Sequence, residues 1–316
     1  MAHLTSKKIS VVVICYRDEG SVRAMYDRLS KVLKDIASDY EIIYVNDASP
    51  DHALDILKDL AERDPRLTVV SHSINFGNQN AFTSGMMQSQ GDAVVILDGD
   101  LQDPPELIPE MVKKWLEGFE VVYGVRVKRE APLYMNFSYK LFYRLFRYFS
   151  YVRVPLDAGD FSLMDRRVVD ALNQMPERDR FIRGLRAWVG FRQTGVSYFR
   201  PERFAGRSTN NIRSNIRWAK KAIFSFSYVP LEFVSYIAFF AVIISFIAIV
   251  VYVILYFMGF VSPRGYMTLL VSILFLGSVQ LLSLSIIGEY IGRIFEETKR
   301  RPQFIVKDII NDHRKK

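Results

Sequence analysis

The chain has 316 residues and a formal net charge of +8, half of its residues are hydrophobic, and it contains one cysteine. This length is enough for two domains. Much of the excess Lys and Arg lies beside two long apolar stretches, which favours anionic lipid headgroups and phosphorylated ligands as partners and disfavours nucleic acid. The lone Cys15 lies in an apolar run, where a reduced core residue is favoured over a nucleophile.

The first 125 residues alternate apolar segments of strand character with segments of helical periodicity. The predicted strands are 9–15, 41–45, 67–71, 92–97 and 121–123, and the predicted helices are 20–36, 51–63, 79–88 and 106–117. Alternation at this spacing predicts an α/β fold with a mostly parallel sheet and helices on both faces. No Gly-x-Gly-x-x-Gly follows the first strand, which disfavours a dinucleotide-type Rossmann site.

Polar side chains follow three of these strands at the point where each strand ends. They are Tyr16, Arg17, Asp18 and Glu19 after the first strand, Asn46 and Asp47 after the second, and Asp98 and Asp100 after the fourth. Ligands of parallel α/β sheets bind outside the carboxyl ends of the strands. We therefore expect a binding site where these groups converge.

A metal-binding pattern lies at the end of the fourth strand. Along an extended chain residues i and i+2 point the same way, so Asp98 and Asp100 can present oxygens to one point. Gln102 can add a third ligand if the chain stays extended. Oxygen ligands suit Mg²⁺ or Mn²⁺ better than zinc. The alternative for so short a motif is a solvated acidic turn.

Two uncharged stretches, 233–263 and 265–288, each exceed the roughly 20 apolar residues that cross a bilayer. Only Arg264 and its neighbours separate them, so we predict a hairpin of two transmembrane helices at about 231–261 and 266–288. Lys and Arg flank the outer ends and are nearly absent from the connection, which predicts cytoplasmic termini. We expect no cleavable signal peptide, because the N-terminus runs almost directly into the globular pattern.

Two further segments combine an apolar stripe with basic residues, 134–151 and 212–226. For the first, a helix packed on the sheet and a helix at the membrane interface fit equally well. The second runs directly into the first membrane span, which favours the interface.

Seven ordered blocks resemble the family 2 glycosyltransferases of GT-A fold, and within them the polyisoprenyl-phosphate glycosyltransferases related to dolichol-phosphate mannose synthase. The blocks are VVVICYRDEG at 11–20, VNDASPD at 45–51, NFGNQNAFTSGM at 75–86, DGDLQDPPE at 98–106, DAGDFSLMDR at 157–166, RFIRGLRAWVGF at 180–191 and IGEYIGRIFEETKRRP at 287–302. The likeness is strongest to bacterial undecaprenyl-phosphate glucosyltransferases of O-antigen glucosylation.

The resemblance implies an inverting, metal-dependent transfer of a sugar from a nucleotide diphosphate to undecaprenyl or another polyisoprenyl phosphate, with UDP-glucose as the expected donor. It places the protein in the bacterial inner membrane, with the reaction on the cytoplasmic leaflet. The expected parts are a GT-A catalytic domain at 1–205, a juxtamembrane amphipathic region at 206–229, the two spans within 230–292 and a basic cytoplasmic tail at 293–316. Such a hairpin also suits assembly into a homo-oligomer.

On the donor side, the resemblance implies a nucleotide-sugar pocket lined by Tyr16, Glu19, Asp47 and Asp98. Asp47 would hydrogen-bond the base, and its alternative is a turn or helix-cap carboxylate. The metal, held by Asp98, Asp100 and Gln102, would neutralise the leaving diphosphate.

On the acceptor side, the resemblance makes Asp157 the candidate general base and Asp160 a structural carboxylate. A phosphate monoester has its second pKa near ~6 and is already largely dianionic at neutral pH, so Asp157 can instead orient a substrate. The candidates for the acceptor phosphate are Arg126, Ser138, Arg200 and Arg203. The candidates for a flexible loop over the donor are Arg183, Arg186 and Trp188. For each Arg alone, a solvated surface charge is the alternative.

Two other functions stay open at this point. A processive polysaccharide synthase of the same fold usually has more spans and a Gln-x-x-Arg-Trp element, whereas this chain has Arg-x-Trp at 186–188 without the Gln. A membrane-anchored nucleotide-sugar sensor would bind the donor without catalysis. The intact Asp-x-Asp and DAGDF blocks argue against the sensor.

Overall fold

The computed structural model describes residues 3–127, 158–178, 180–199, 229–259 and 265–315. They divide between two compact units. The first unit contains the described residues up to 199 together with 301–315, and the second contains 229–259 and 265–300. All predicted binding residues that the structure describes belong to the first unit.

A sheet of eight strands forms the centre of the first unit. The strands are β1 (Ile9–Cys15), β2 (Tyr40–Asn46), β3 (Leu67–His72), β4 (Ala93–Asp98), β5 (Val121–Val127), β6 (Ala158–Asp165), β7 (Gln193–Phe199) and β8 (Val306–Ile310). Their order is β7-β5-β6-β4-β1-β2-β3-β8. β1 is parallel to β2 and β4, β2 to β3, and β5 to β7, whereas β6 and β8 run antiparallel to their neighbours. The predicted α/β fold with a mostly parallel sheet is confirmed.

Among the described residues, six helices pack around this sheet, several of them through one apolar face. They are α1 (Glu19–Ile36), α2 (Ala53–Arg63), α3 (Asn78–Gln88), α4 (Ile108–Leu116), α5 (Arg166–Gln174) and α6 (Ile182–Trp188). In α1 the residues Val22, Met25, Leu29 and Leu33 recur every three or four positions and are at most 1% exposed, as expected of an amphipathic helix on a core. The elements predicted up to residue 127 are present, with ends displaced by a few residues.

Two long helices, α7 (Val229–Phe257) and α8 (Tyr266–Thr298), make up the described part of the second unit. Both are long and apolar enough to cross a membrane. Large apolar side chains lie exposed along them, including Phe239 (63%) and Leu281 (70%). Such surfaces are unfavourable in water and suit contact with lipid. α8 continues past the predicted end of the second span at 288.

The C-terminal stretch differs from the expected basic tail at 293–316. Helix α8 takes up its first residues, and β8 adds to the sheet beside β3. Without β8, β3 would be an edge strand with a row of unpaired backbone groups, which a further strand satisfies. The apolar, β-branched residues of β8 are a strand signal that the neighbouring Lys and Arg obscured.

Candidate active site

The carboxyl ends of β1, β2 and β4 lie at one edge of the sheet, because β1 lies between the other two strands and is parallel to both. The loop after each strand contains a non-glycine residue with a positive φ: Arg17 (60°), Ala48 (51°) and Leu101 (63°). Such backbone costs roughly 1–3 kcal/mol per residue and clusters at functional sites, where the surrounding structure enforces it. The three predicted strand ends therefore come together, with their loops in unusual conformations.

Reciprocal hydrogen bonds join the loops that follow β1 and β2. The Glu19 N–H donates to Asp51 Oδ2 (3.1 Å), and the His52 N–H donates to Glu19 Oε2 (2.9 Å). Within the loop after β1, the Tyr16 N–H donates to Asp18 Oδ2 (3.2 Å). Glu19, a candidate for the nucleotide pocket, thus fixes the position of the first loop relative to the second.

Asp47 is buried and accepts three hydrogen bonds from residues at and after the end of β3. Its Oδ1 contacts His72 Nδ1 (2.8 Å) and accepts from the Phe76 N–H (2.9 Å), and its Oδ2 accepts from the Gly77 N–H (2.8 Å). The alternative role predicted for Asp47 was that of a carboxylate closing a turn. The turn after β2 is closed by Asn46 Oδ1 instead. Asp47 therefore connects the end of β2 to the loop before α3.

Gly99 lets the loop after β4 lie against β1. Its N–H donates to the carbonyl of Ile14 (3.0 Å), and its own carbonyl accepts from Ser21 Oγ (2.7 Å). A Cβ at this position would lie 2.6 Å from the Ile14 carbonyl oxygen, closer than real Cβ atoms approach. The loop between Asp98 and Asp100 is therefore held by a contact that only glycine permits.

The predicted geometry of three metal ligands needs a correction at Gln102. The alternation of side chains requires an extended chain, but Leu101 has a φ of 63° and Gly99 and Asp100 form a turn. Asp100 is buried, and its Oδ1 accepts from the Gln102 N–H (3.1 Å). The turn thus removes the basis on which Gln102 was assigned as a third ligand.

Negative charge accumulates around Asp98. The antiparallel register of β4 and β6, continued to the end of β4, brings Asp98 opposite Asp160. The pKa of Asp98 is raised to about 8, chiefly because of burial and then because of the charges of Asp103, Asp160 and Asp100, while Arg126 acts in the opposite direction. A raised carboxyl pKa means that ionisation of Asp98 is disfavoured when no cation lies close to it.

A divalent cation suits this donor set, because carboxylate oxygens are hard ligands. Asp100 is among the carboxylates whose charges raise the pKa of Asp98, so the two predicted carboxylate ligands interact electrostatically. Within the described ranges, no group of three or more His, Cys, Asp or Glu side chains is arranged to hold a metal ion. The protein side of such a site would therefore be small, with further oxygens supplied by a phosphate ligand or water.

Arg126, a candidate for the acceptor phosphate, lies beside the same carboxylates. Its Nε donates to the Tyr198 hydroxyl (3.3 Å), which itself donates to the buried Asp103, and its guanidinium approaches Asp103 Oδ1 (3.8 Å). Burial and Asp103 raise the pKa of Tyr198. Sequence reasoning missed both partners: Asp103 is in the DGDLQDPPE block and could have been found, whereas Tyr198 carried no signal.

The residues expected on a flexible loop lie instead on α6. Arg186 is fully buried, its guanidinium donates to the Gly159 carbonyl (3.3 Å), and burial lowers its pKa to about 10. Arg183 is paired with Asp160, and Trp188 is 57% exposed. A guanidinium buried against the start of β6 fixes the helix to the sheet, so the prediction of a flexible loop is not supported.

Asp160 forms a bidentate ion pair with Arg183, with Nε–Oδ1 and Nη2–Oδ2 distances of 2.9 and 3.0 Å. Gln79 Nε2 also donates to Oδ2 (3.3 Å). Burial opposes ionisation of Asp160, yet Arg183 holds its pKa below the ordinary value. Asp160 is therefore a charged carboxylate with structural partners, as predicted for the second Asp of the DAGDF block.

Four candidates lie outside the described residues: Ser138, Asp157, Arg200 and Arg203. The amphipathic segment at 212–226 and the aromatic segment at 134–151 lie outside them as well.

Comparison with known proteins gives a family match, relatives that align along nearly the whole chain, and solved structures of similar fold. The model of the family described as "Glycosyl transferase family 2" matches residues 10–172. An uncharacterized glycosyltransferase of Synechocystis is 42% identical over 304 residues, covering 96% of this chain and 95% of the relative. A bactoprenol glucosyl transferase of Shigella phage SfV is 38% identical over 303 residues, covering 95% and 98%. The solved structure of glucosyl-3-phosphoglycerate synthase from Mycobacterium tuberculosis with Mn²⁺, UDP and phosphoglyceric acid is similar with a TM-score of 0.47 and 19% identity, covering 69% of this chain and 76% of that one.

Proposed function

The chain belongs to glycosyl transferase family 2, and we propose that it transfers glucose from UDP-glucose to the phosphate group of a polyisoprenyl lipid. The observation that carries the proposal is the likeness to bactoprenol glucosyl transferase, which covers 95% of this chain and 98% of the phage protein. A match of that extent spans both the sheet unit and the two apolar helices. No observation favours the processive synthase or the sensor.

A divalent metal is common in this family, and we propose Mg²⁺ or Mn²⁺ at the end of β4. Asp98 and Asp100 would hold it, with the Gln102 side chain as a weaker candidate since the chain turns before it. When bound, the cation neutralises the charge that develops on the departing diphosphate. The accumulation of carboxylates around Asp98, which raises its pKa to about 8, supports this assignment.

The donor nucleotide is proposed to bind at the edge formed by the ends of β1 and β2. Tyr16 lies in the loop after β1 and Glu19 begins α1, while Asp47 directly follows β2 with its carboxylate fixed by three donors. Because its second oxygen accepts only one of those bonds, it retains a lone pair for a donor group of the base. Fixed loops and a fixed carboxylate lower the cost of ordering the site when the nucleotide binds.

In the proposed step, an oxygen of the lipid phosphate attacks C1 of glucose from the face opposite UDP. The new C1–O bond forms as the bond from C1 to the β-phosphate oxygen breaks, and the electron pair leaves with UDP. A phosphate monoester with its second pKa near ~6 is already largely dianionic, so only a small monoanionic fraction has a proton to lose. We propose Asp157 as the residue that orients the acceptor or takes any remaining proton.

Cationic side chains are proposed to receive the acceptor phosphate. Arg126 is suited to this role because its side chain is partly exposed at the edge where the donor is proposed to bind. Its guanidinium lies beside Asp103. Ser138, Arg200 and Arg203 are the other candidates, on the family likeness alone. Arg–phosphate pairs are often bidentate, which fixes orientation as well as binding.

Helices α7 and α8 are proposed to cross the bacterial inner membrane, with the sheet unit and both termini in the cytoplasm. The residues that support this orientation are Arg213, Arg217, Lys220 and Lys221 before the first helix, Arg293, Lys299, Arg300 and Arg301 at the end of the second, and Arg264 alone in the connection. Lys and Arg are enriched on the cytoplasmic side of membrane helices. In this orientation the sheet unit and the proposed reaction are on the same, cytoplasmic, side of the membrane.

Purified full-length protein tests the proposal directly. It would be incubated with undecaprenyl phosphate, Mg²⁺ or Mn²⁺, and one labelled donor at a time: UDP-glucose, GDP-mannose or UDP-N-acetylglucosamine. We expect label on the lipid from UDP-glucose only, and no turnover in EDTA. Product from another donor would replace glucose with that sugar, and turnover in EDTA would contradict the metal assignment. Nucleotide binding with no product from any donor would favour the sensor.

A further inference from the structure

The C-terminal segment 301–315 packs against β3 and the loop that follows it. The donors that hydrogen-bond the Asp47 carboxylate come from the end of this strand and from this loop. β8 pairs with β3 along Val306–Ile310, and the Ser73 N–H donates to the Ile305 carbonyl (3.0 Å) just beyond the pairing. Farther along, Asn311 Nδ2 donates to two backbone carbonyls, those of Ala61 (2.8 Å) and Leu67 (3.0 Å). The segment is thus anchored along the length of β3 and ends its pairing beside His72.

Phe304 stacks on the ring of His72. The ring centroids are 5.4 Å apart and the planes are 14° from parallel. Phe76 contacts His72 as well, edge to face at a centroid distance of 5.6 Å. The imidazole is 1% exposed, so its orientation is set by these two aromatic contacts together with its hydrogen bond.

That hydrogen bond runs to Asp47. His72 Nδ1 lies 2.8 Å from Asp47 Oδ1, and since a carboxylate only accepts, Nδ1 carries the proton. The other ring nitrogen, Nε2, is buried, and none of the described residues forms a hydrogen bond with it. An apolar ring would fill this space without leaving a buried nitrogen unsatisfied. The bond from Nδ1 to Asp47 is therefore the chemical property that distinguishes histidine at this position.

We propose that Phe304 and His72 are positioning residues for the donor nucleotide: the C-terminal segment holds the ring of His72, and the ring holds the carboxylate of Asp47 in the nucleotide pocket. The inference rests on the proposed function, because it takes Asp47 to meet the nucleotide of the donor. Without the ring, Asp47 would have to be ordered during binding, and that cost falls on affinity and leaves the chemical step unchanged.

The test measures UDP binding and steady-state kinetics of the full-length protein. In Phe304→Ala and His72→Phe we expect the affinity for UDP to fall about tenfold, with a matching rise in KM for UDP-glucose and little change in kcat. Phe304→Tyr keeps the stacked ring and should bind UDP as the wild type does. His72→Phe keeps the packing but removes the bond to Asp47, so it separates positioning from stability.

Asn311→Ala is the matched control on the same segment, because it removes two anchoring bonds without touching His72. It should lower Tm and leave the UDP affinity unchanged. If Phe304→Ala and His72→Phe bind UDP as tightly as the wild type does, the inference is overturned and the proposed function is not affected. Weakened UDP binding in both variants, from a wild type that transfers no glucose to lipid, would support the inference and overturn the proposed function. A wild type that binds no UDP would overturn both.

Discussion

At the residue scale, the surroundings of Asp98 determine the pKa of its carboxyl group. Burial, followed by the charges of Asp103, Asp160 and Asp100, raises its pKa from 3.8 to about 8. Below that pH the metal-free side chain is protonated, and a metal must displace the proton. We expect the apparent affinity for Mn²⁺ to fall by up to ~tenfold for each pH unit below 8, as measured by calorimetric titration of the full-length protein.

The variant Asp103→Asn is the control for this prediction. It removes one of the charges that raise the pKa of Asp98 but keeps an oxygen that can accept from the Tyr198 hydroxyl. The fall in Mn²⁺ affinity should then begin at a lower pH than in the wild type. An affinity independent of pH would show that Asp98 is not a ligand.

Gly99 offers a second prediction at this scale. In Gly99→Ala the new Cβ would lie 2.6 Å from the Ile14 carbonyl oxygen, so the loop between Asp98 and Asp100 must move. Gly91, which lies just before β4 and away from the site, is a matched control. A Cβ at this position would lie 2.6 Å from the Ser10 backbone nitrogen. We expect both variants to lower Tm, but only Gly99→Ala to reduce kcat/KM, by a hundredfold or so. Equal activity in the two variants would contradict a special role for this loop.

At the element scale, α6 is fixed to the start of β6 by the ion pair of Arg183 with Asp160. Removing Arg183 leaves Asp160, 6% exposed in its side chain, without its cation. A fully buried pair broken in this way costs roughly 3–5 kcal/mol; because Arg183 is partly exposed, we expect about 2 kcal/mol for Arg183→Ala. Thermal unfolding in detergent would measure the loss, and Asp160→Asn in the same chain should recover part of it.

Arg63→Ala is the comparison, because Arg63 pairs with Asp59 on the exposed surface of α2. Exposed pairs contribute little, so this variant should leave Tm nearly unchanged. Equal losses in Arg63→Ala and Arg183→Ala would mean that α6 is not held by its ion pair.

At the scale of the whole molecule, the proposed orientation predicts which ends of the membrane helices face outward. Cys15 is 1% exposed and burial raises the pKa of its thiol, so it should not react with a maleimide. In spheroplasts we expect a membrane-impermeant maleimide to label Ser262→Cys, between the helices, and to label Lys316→Cys only after lysis. The reverse pattern would contradict cytoplasmic termini, and the wild type serves as the unlabelled control.

Local pattern predicted the elements well wherever an element could be identified from its own residues. The spacing of Val22, Met25, Leu29 and Leu33 specifies α1, and the largely apolar runs of β1 and β4 specify strands covered on both faces. β8 was missed for a physical reason: its strand character depends on an unpaired neighbour, β3, more than 200 residues earlier in the chain. A short window cannot contain that information.

The sequence by itself determined that a mostly parallel sheet carries polar strand ends at one edge and that two long apolar helices follow it, because both depend on periodicity and composition within short segments. Only the tertiary structure decided how the site is supported. The charge of Asp160 acts on Asp98, and Phe304 reaches Asp47 through His72, although these residues are far apart in sequence. The chain must fold before burial and neighbouring charges can set an ionisation or fix a carboxylate, so no local pattern could reveal them.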